Sequence, residues 1–174
     1  DHLIPQYFAA MKNELDFHRR GFRDIVEVDT IFVGGGTPNH LTPVQLQELF
    51  RLIYTHFQPV ADAEISVEAN PDGLDEDRLN VLRDHGVNRL SLGVQSFDES
   101  VLKALERTHT GVQAIETVQR CQQWISNISL DLIFGVPGQS LSSWTQTLNT
   151  ATTLPVRHVS TYGLTFETGT PFFR

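Results

Sequence analysis

Cysteine is almost missing from this chain: 174 residues contain one, Cys121. A single thiol excludes an internal disulfide and any metal site built from several cysteines of this chain. It also suits a reducing compartment, so a cytoplasmic location is the expectation. Cys121 sits between Arg120 and Gln122, beside no obvious base, and reads as inert. Basic residues are scarce as well, with 13 Lys+Arg against 21 Asp+Glu and a net charge of −8. That balance argues against a broad nucleic-acid footprint, and no nucleic-acid partner is expected. No apolar run approaches the ~20 residues of a membrane-spanning helix, and no charged-then-apolar leader opens the chain. Gly-x-Ser-x-Gly, His-Glu-x-x-His and histidine pairs at metal spacing are also lacking. Their absence removes the nucleophile elbow and the zinc-protease helix from consideration.

What is present is ordinary in amount and regular in order. The chain is 40% hydrophobic and 20% charged, and its length suits one domain, residues 1–174, with a real core. Five short apolar runs each carry glycine or polar residues at their C-terminal end. Residues 28–33 lead into Gly34-Gly35-Gly36-Thr37-Pro38, and residues 64–69 close with Glu68, Asn70 and Pro71. Residues 89–94 close with Gln95, Ser96 and Phe97. Residues 128–134 carry Asp131 and run into Gly135-Val136-Pro137-Gly138-Gln139, and residues 158–164 lead to Glu167, Gly169 and Pro171. Helical patterns separate them. Residues 2–20 have Leu3, Tyr7, Phe8, Met11 and Leu15 near helical spacing. A helix capped by Thr42-Pro43 follows, then one capped by Asp75 and stopped by Gly86. Residues 98–105 and 112–124 form a pair, the second burying Ile115, Val118 and Trp124. Residues 141–154 form the last helix, stopped by Pro155.

The order α-β-α-β-α-β-α-α-β-α-β implies right-handed crossovers and a parallel sheet. Five strands suit either an open doubly wound sheet or part of a curved barrel. In both, ligands bind at the C-terminal ends of the strands, where these signatures lie.

Each signature residue has a plain reading beside the functional one. The three glycines make a tight turn or expose amide donors to a ligand; their spacing fits neither the dinucleotide nor the P-loop pattern. Alternation puts Ser66 and Glu68 on the face opposite Ile65 and Val67. There Glu68 caps a turn or accepts from hydroxyl or ammonium groups. Gln95 is a turn residue or a donor–acceptor at the sheet lip. Asp131, inside an apolar strand, needs a ligand hydroxyl or backbone donors. Arg107 ends a helix over residues 98–106, where it complements the dipole or clamps a carboxylate. His109, between Thr108 and Thr110, reads as a solvated loop histidine.

Together these stretches resemble the radical S-adenosylmethionine family around oxygen-independent coproporphyrinogen III oxidase. The matching segments are IFVGGGTP (31–38), ISVEANP (65–71), NRLSLGVQSF (88–97), LDLIFGVPGQ (130–139) and TFETGTPF (165–172). Their wording is closest to the HemW heme-chaperone branch. The resemblance implies an α/β fold, a partial six-stranded (β/α) barrel, of which these would be the second to sixth strands. It implies S-adenosylmethionine held against a [4Fe-4S] cluster, with Gly35, Gly36 and Thr37 at the methionine moiety. Glu68, Gln95, Arg107 and Asp131 would complete that site, and Thr165 falls at a further backbone contact. The family's Cys-x-x-x-Cys-x-x-Cys loop is not in this chain, so no metal ligand is assigned here. The resemblance therefore implies a piece of a longer protein that lacks both this loop and the family's C-terminal domain. Heme delivery is the implied function, with heme as ligand. The alternative is oxidative decarboxylation of coproporphyrinogen III in porphyrin biosynthesis.

Overall fold

The structure, a computed structural model, describes residues 2–22, 25–166 and 168–169. Helix α1 spans Ile4–Arg19 and strand β1 Val26–Val33. A short 3-10 turn, Pro38–His40, precedes α2 (Pro43–His56). Strand β2 (Phe57–Ala69), α3 (Glu76–Asp84) and β3 (Arg89–Gln95) follow. Then come α4 (Glu99–Ala104), α5 (Gly111–Gln122), β4 (Asn127–Phe134), α6 (Leu141–Thr153) and β5 (His158–Gly163). No helix among the described residues is long and apolar enough to cross a membrane.

The helix starts follow local chemistry. Thr42 and Thr110 each form a reciprocal capping box with the glutamine three residues on, Gln45 and Gln113. Asp75 and Asp98 accept amides of the first turns of α3 and α4.

All four strand pairs are parallel, and the spatial order is β1-β2-β3-β4-β5. That order decides between the two sheet types left open above. A doubly wound sheet reverses direction at a switch point; this sheet never does. Right-handed crossovers that always advance the same way place every helix on one face. The register puts Val67, Leu90, Leu92, Ile128, Leu130 and Leu132 on that helix side, and all six are buried. The opposite face carries Ser66, Glu68, Ser91, Ser129 and Asp131, a polar interior rather than a second core. Here Ser91 donates to Asp131 at 2.9 Å and Ser129 bonds His158 Nδ1 at 2.9 Å.

Some local expectations need correction. Strand β2 begins at Phe57, seven residues before the expected 64, and an irregularity in its pairing with β1 absorbs the extra length. Trp124 is 44% exposed rather than buried, because it lies past the end of α5, with the Arg83 guanidinium 4.3 Å over its ring. Ile115 is only half-buried; Ala114, Thr117, Val118 and Cys121 form the packed stripe of α5. On α1 only Phe8 is buried, whereas Tyr7, and Leu3 just before the helix, are exposed. Arg107 does not end a helix: α4 stops at Ala104, and Glu106 turns to a φ of 54° just before it.

Candidate functional site

The glycine loop lies directly on a carboxylate. A Cβ on Gly34 would sit 2.5 Å from Phe32 Cε1 and 2.6 Å from Glu68 Oε2, so any larger residue there would displace those side chains from the loop. Gly35, at a φ of 87°, donates its N–H to the same oxygen at 3.1 Å. Buried Asn39 ties this loop to the one after β2. Its amide nitrogen donates to the carbonyls of Asn70 and Asp72 at 3.0 and 2.8 Å, and its oxygen accepts from Asn70 N at 3.0 Å. Glu68 is thus carried at a strand end whose exit is fixed from both sides.

Strand β3 ends in a distortion. Leu92 pairs with Leu130 but Gln95 pairs with Leu132, so β3 holds one extra residue, as in a bulge. Gln95 has a φ of 65°, and Ser96 N–H donates back to Val94 O at 2.8 Å. Together these describe a γ-turn of positive φ, a rare and strained conformation for glutamine. Gly93 makes room for it: a Cβ there would meet Asn70 Oδ1 at 2.8 Å and Gln95 Nε2 at 2.9 Å.

His109 is buried, not solvated, because its ring turns inward under β3 instead of following the two exposed threonines beside it. Its Nε2 lies 3.0 Å from Val94 O, and its Nδ1 lies 3.8 Å from Asp72 Oδ1. Burial pushes the imidazole pKa below its usual 6.5. The Val94 carbonyl and the Asp72 and Glu99 carboxylates oppose that shift, and the Arg107 cation reinforces it. A histidine kept neutral on folding stabilises fully above its unfolded value of 6.5, and that stability is lost as pH falls through the lower folded value. Urea midpoints measured from pH 7.5 down to 5 are therefore expected to fall more for the unsubstituted protein than for His109→Gln; parallel curves would contradict this.

Gly36, Thr37, Glu68, Gln95, Arg107 and Asp131 line one cavity of about 310 Å³. That is at the small end of the ~300–1,000 Å³ typical of small-molecule sites. Two carboxylates and one guanidinium face it, a charge set suited to a zwitterionic ligand bearing hydroxyls. No carboxylate among the described residues lies within ion-pair distance of Arg107. Gly35 reaches the site through Glu68 rather than lining the cavity. Thr165 lies beyond β5, exposed, and is not part of the lining. Of the expected loop around it, Glu167 and residues 170–174 lie outside the described residues.

The structure adds lining groups that the sequence reading passed over. Tyr162 shares the inner face of β5 with His158 and Ser160, and that alternation was available to find it. Gly93 inside a strand was likewise a sign of close approach. Asn39, by contrast, carries no sequence signal, since its three bonds join segments about thirty residues apart.

A glycine-floored cavity with this charge set fits S-adenosylmethionine. The iron–sulfur cluster finds no such fit. Cluster iron takes thiolates, and burial pushes the Cys121 thiol up to about 12. No group of three or more His, Cys, Asp or Glu able to hold a metal occurs among the described residues.

Comparison with known proteins agrees with this geometry. The chain is 38% identical over 174 residues to the heme chaperone HemW of Bacillus subtilis, covering 98% of this chain and 45% of that protein. It is 41% identical over 168 residues to heme chaperone HemW of Escherichia coli, covering 95% and 44%. Thus it spans less than half the length of these relatives. Among solved structures, coproporphyrinogen III oxidase (HemN) from Escherichia coli superposes with a TM-score of 0.86 at 31% identity, covering 94% of this chain and 38% of that one. The five strands match part of its barrel, which makes the sheet a curled half-barrel. Residues 11–151 match the model of the Radical SAM superfamily. This chain belongs to the Radical SAM superfamily.

Proposed function

We propose that this chain supplies the S-adenosylmethionine site of a heme-chaperone-type radical S-adenosylmethionine protein. One observation carries the reading: polar groups from all five strands or the loops that leave them, and from the loop after α4, remote in sequence, line a single cavity. In this reading Gly36 and Thr37 meet the methionine end, Gly35 acts there by holding Glu68, and Arg107 grips the ligand carboxylate. Glu68 accepts from the ammonium group, and Gln95 and Asp131 meet hydroxyls. When bound beside its cluster, S-adenosylmethionine supplies radical chemistry by reductive cleavage. The residues here bind it, orient it and exclude water.

Titration of S-adenosylmethionine into the intact protein, followed by calorimetry, tests this. Saturable 1:1 binding is expected, and Gly93→Ala is expected to weaken it about tenfold. The added methyl would push Asn70 and Gln95 from their places, at the cost of roughly one polar contact. No binding at millimolar ligand would end the reading.

Heme is the cargo assigned to the intact protein, from the names of its relatives. The likeness to the oxidase structure favours a second reading, coproporphyrinogen III decarboxylation. Anaerobic reconstitution separates them: stable heme uptake without turnover supports the chaperone, and vinyl product at catalytic rates supports the oxidase.

A further inference from the structure

We infer that His109 is a positioning residue that sets two arms of the ligand site at once, Gln95 and Arg107. The inference rests on the proposed S-adenosylmethionine site.

The Val94 carbonyl is the acceptor that defines the γ-turn around Gln95, and it accepts twice. Ser96 N–H reaches it at 2.8 Å from within the turn, and His109 Nε2 reaches it at 3.0 Å from outside. For that second bond the ring proton sits on Nε2, leaving Nδ1 bare, and Nδ1 has no hydrogen-bond partner. A ring so buried, with one nitrogen unsatisfied, is held for what its other nitrogen does. Positive φ in glutamine is strained, and such strain persists only where its surroundings hold it. The external donor is what holds it here.

The other end of the same device is Arg107. The segment from 107 to 109 is pinned at three points: Arg107 N bonds Leu102 O at 2.9 Å, Thr108 Oγ1 donates to Asp72 Oδ2 at 2.6 Å, and His109 is anchored under β3. Between those anchors the Arg107 side chain reaches the cavity. Thr108 and His109 thereby join the loop after α4 to the loop after β2 and to the end of strand β3. Moving the imidazole shifts the amide of Gln95 and the guanidinium of Arg107 relative to each other.

The test is S-adenosylmethionine affinity, measured by anaerobic calorimetry on the intact protein together with its melting temperature. His109→Met keeps the bulk and removes the donor; affinity is expected to fall about tenfold. His109→Gln places a donor near the Nε2 position and is expected to stay within about threefold of the unsubstituted protein. His109→Asn is too short to reach and is expected to resemble the methionine variant. In a Gln95→Gly background, where positive φ carries no strain, His109→Met is expected to add little. Equal affinity for His109→Met and the unsubstituted protein overturns the inference. Should the methionine variant fail to fold, indistinguishable glutamine and asparagine variants overturn it instead. Absence of binding in the unsubstituted protein removes the proposed function, and this inference with it; normal binding that ignores position 109 removes the inference alone.

Discussion

Arg107→Ala is expected to lower S-adenosylmethionine affinity about a hundredfold while leaving the fold intact. Arg107 is half-buried at the cavity wall, and no carboxylate among the described residues pairs with it. A guanidinium so placed is ready to take a ligand carboxylate through two parallel N–H bonds. A hydrogen bond to a charged partner contributes about 1.5–3 kcal/mol, and each ~1.4 kcal/mol is tenfold in affinity. Its removal leaves no buried ion behind in the protein, since in the proposed site its partner would belong to the ligand. The melting temperature should therefore move by only a few degrees. Arg107→Lys keeps the charge but loses the planar fork, so it is expected to recover only part of the loss. Calorimetric affinities for the three proteins check this; unchanged affinity in the alanine variant would remove Arg107 from the site.

Gly111→Ala is expected to destabilise the protein by about 2 kcal/mol, although alanine is the better helix former. Gly111 opens α5, and a Cβ on it would lie 2.4 Å from the carbonyl oxygen of Phe97. The obstructing atom is backbone, so no rotamer change relieves the contact. Overpacking of this kind costs up to about 3 kcal/mol; the gain in helix propensity is about 1 kcal/mol. The clash wins. Its effect also spreads, because the start of α5 carries the Thr110 cap and the Glu99 carboxylate accepts Gly111 N–H at 2.8 Å. A lower urea midpoint at unchanged slope is the expected measurement. A midpoint equal to or above the original would mean that the Phe97 backbone yields easily.

Much of this architecture is readable from local chemistry. Thr42, Asp75 and Pro155 mark helix ends with side chains or rings that act within three residues, and the helices begin or end there. Glu68 announces itself because period-two alternation assigns a face without any tertiary knowledge, and Asp131 because a carboxylate inside an apolar strand needs partners. Barrel against doubly wound sheet is different: the element order is the same for both, and only the spatial order of strands distinguishes them. Other features depend on contacts far along the chain. The Gln95 turn cannot be foreseen, since glutamine has no preference for positive φ. Nor can the burial of His109, which depends on a carbonyl fifteen residues earlier. Trp124 misled through hydropathy alone: its ring finds a guanidinium to cover it just past the helix end.

The unbroken succession of strands turns the chain into a ruler. Neighbouring parallel strands stand ~4.8 Å apart, so five in sequence cover roughly 19 Å of arc. Along that arc the strand-end segments follow one another in the order in which they were synthesised. Position along the polypeptide thus maps onto position along the arc, and because neighbouring strand-end segments are bonded to each other, as Gly35 is to Glu68 and Asn39 to Asn70, an exchange of one segment would be felt by the next along the arc.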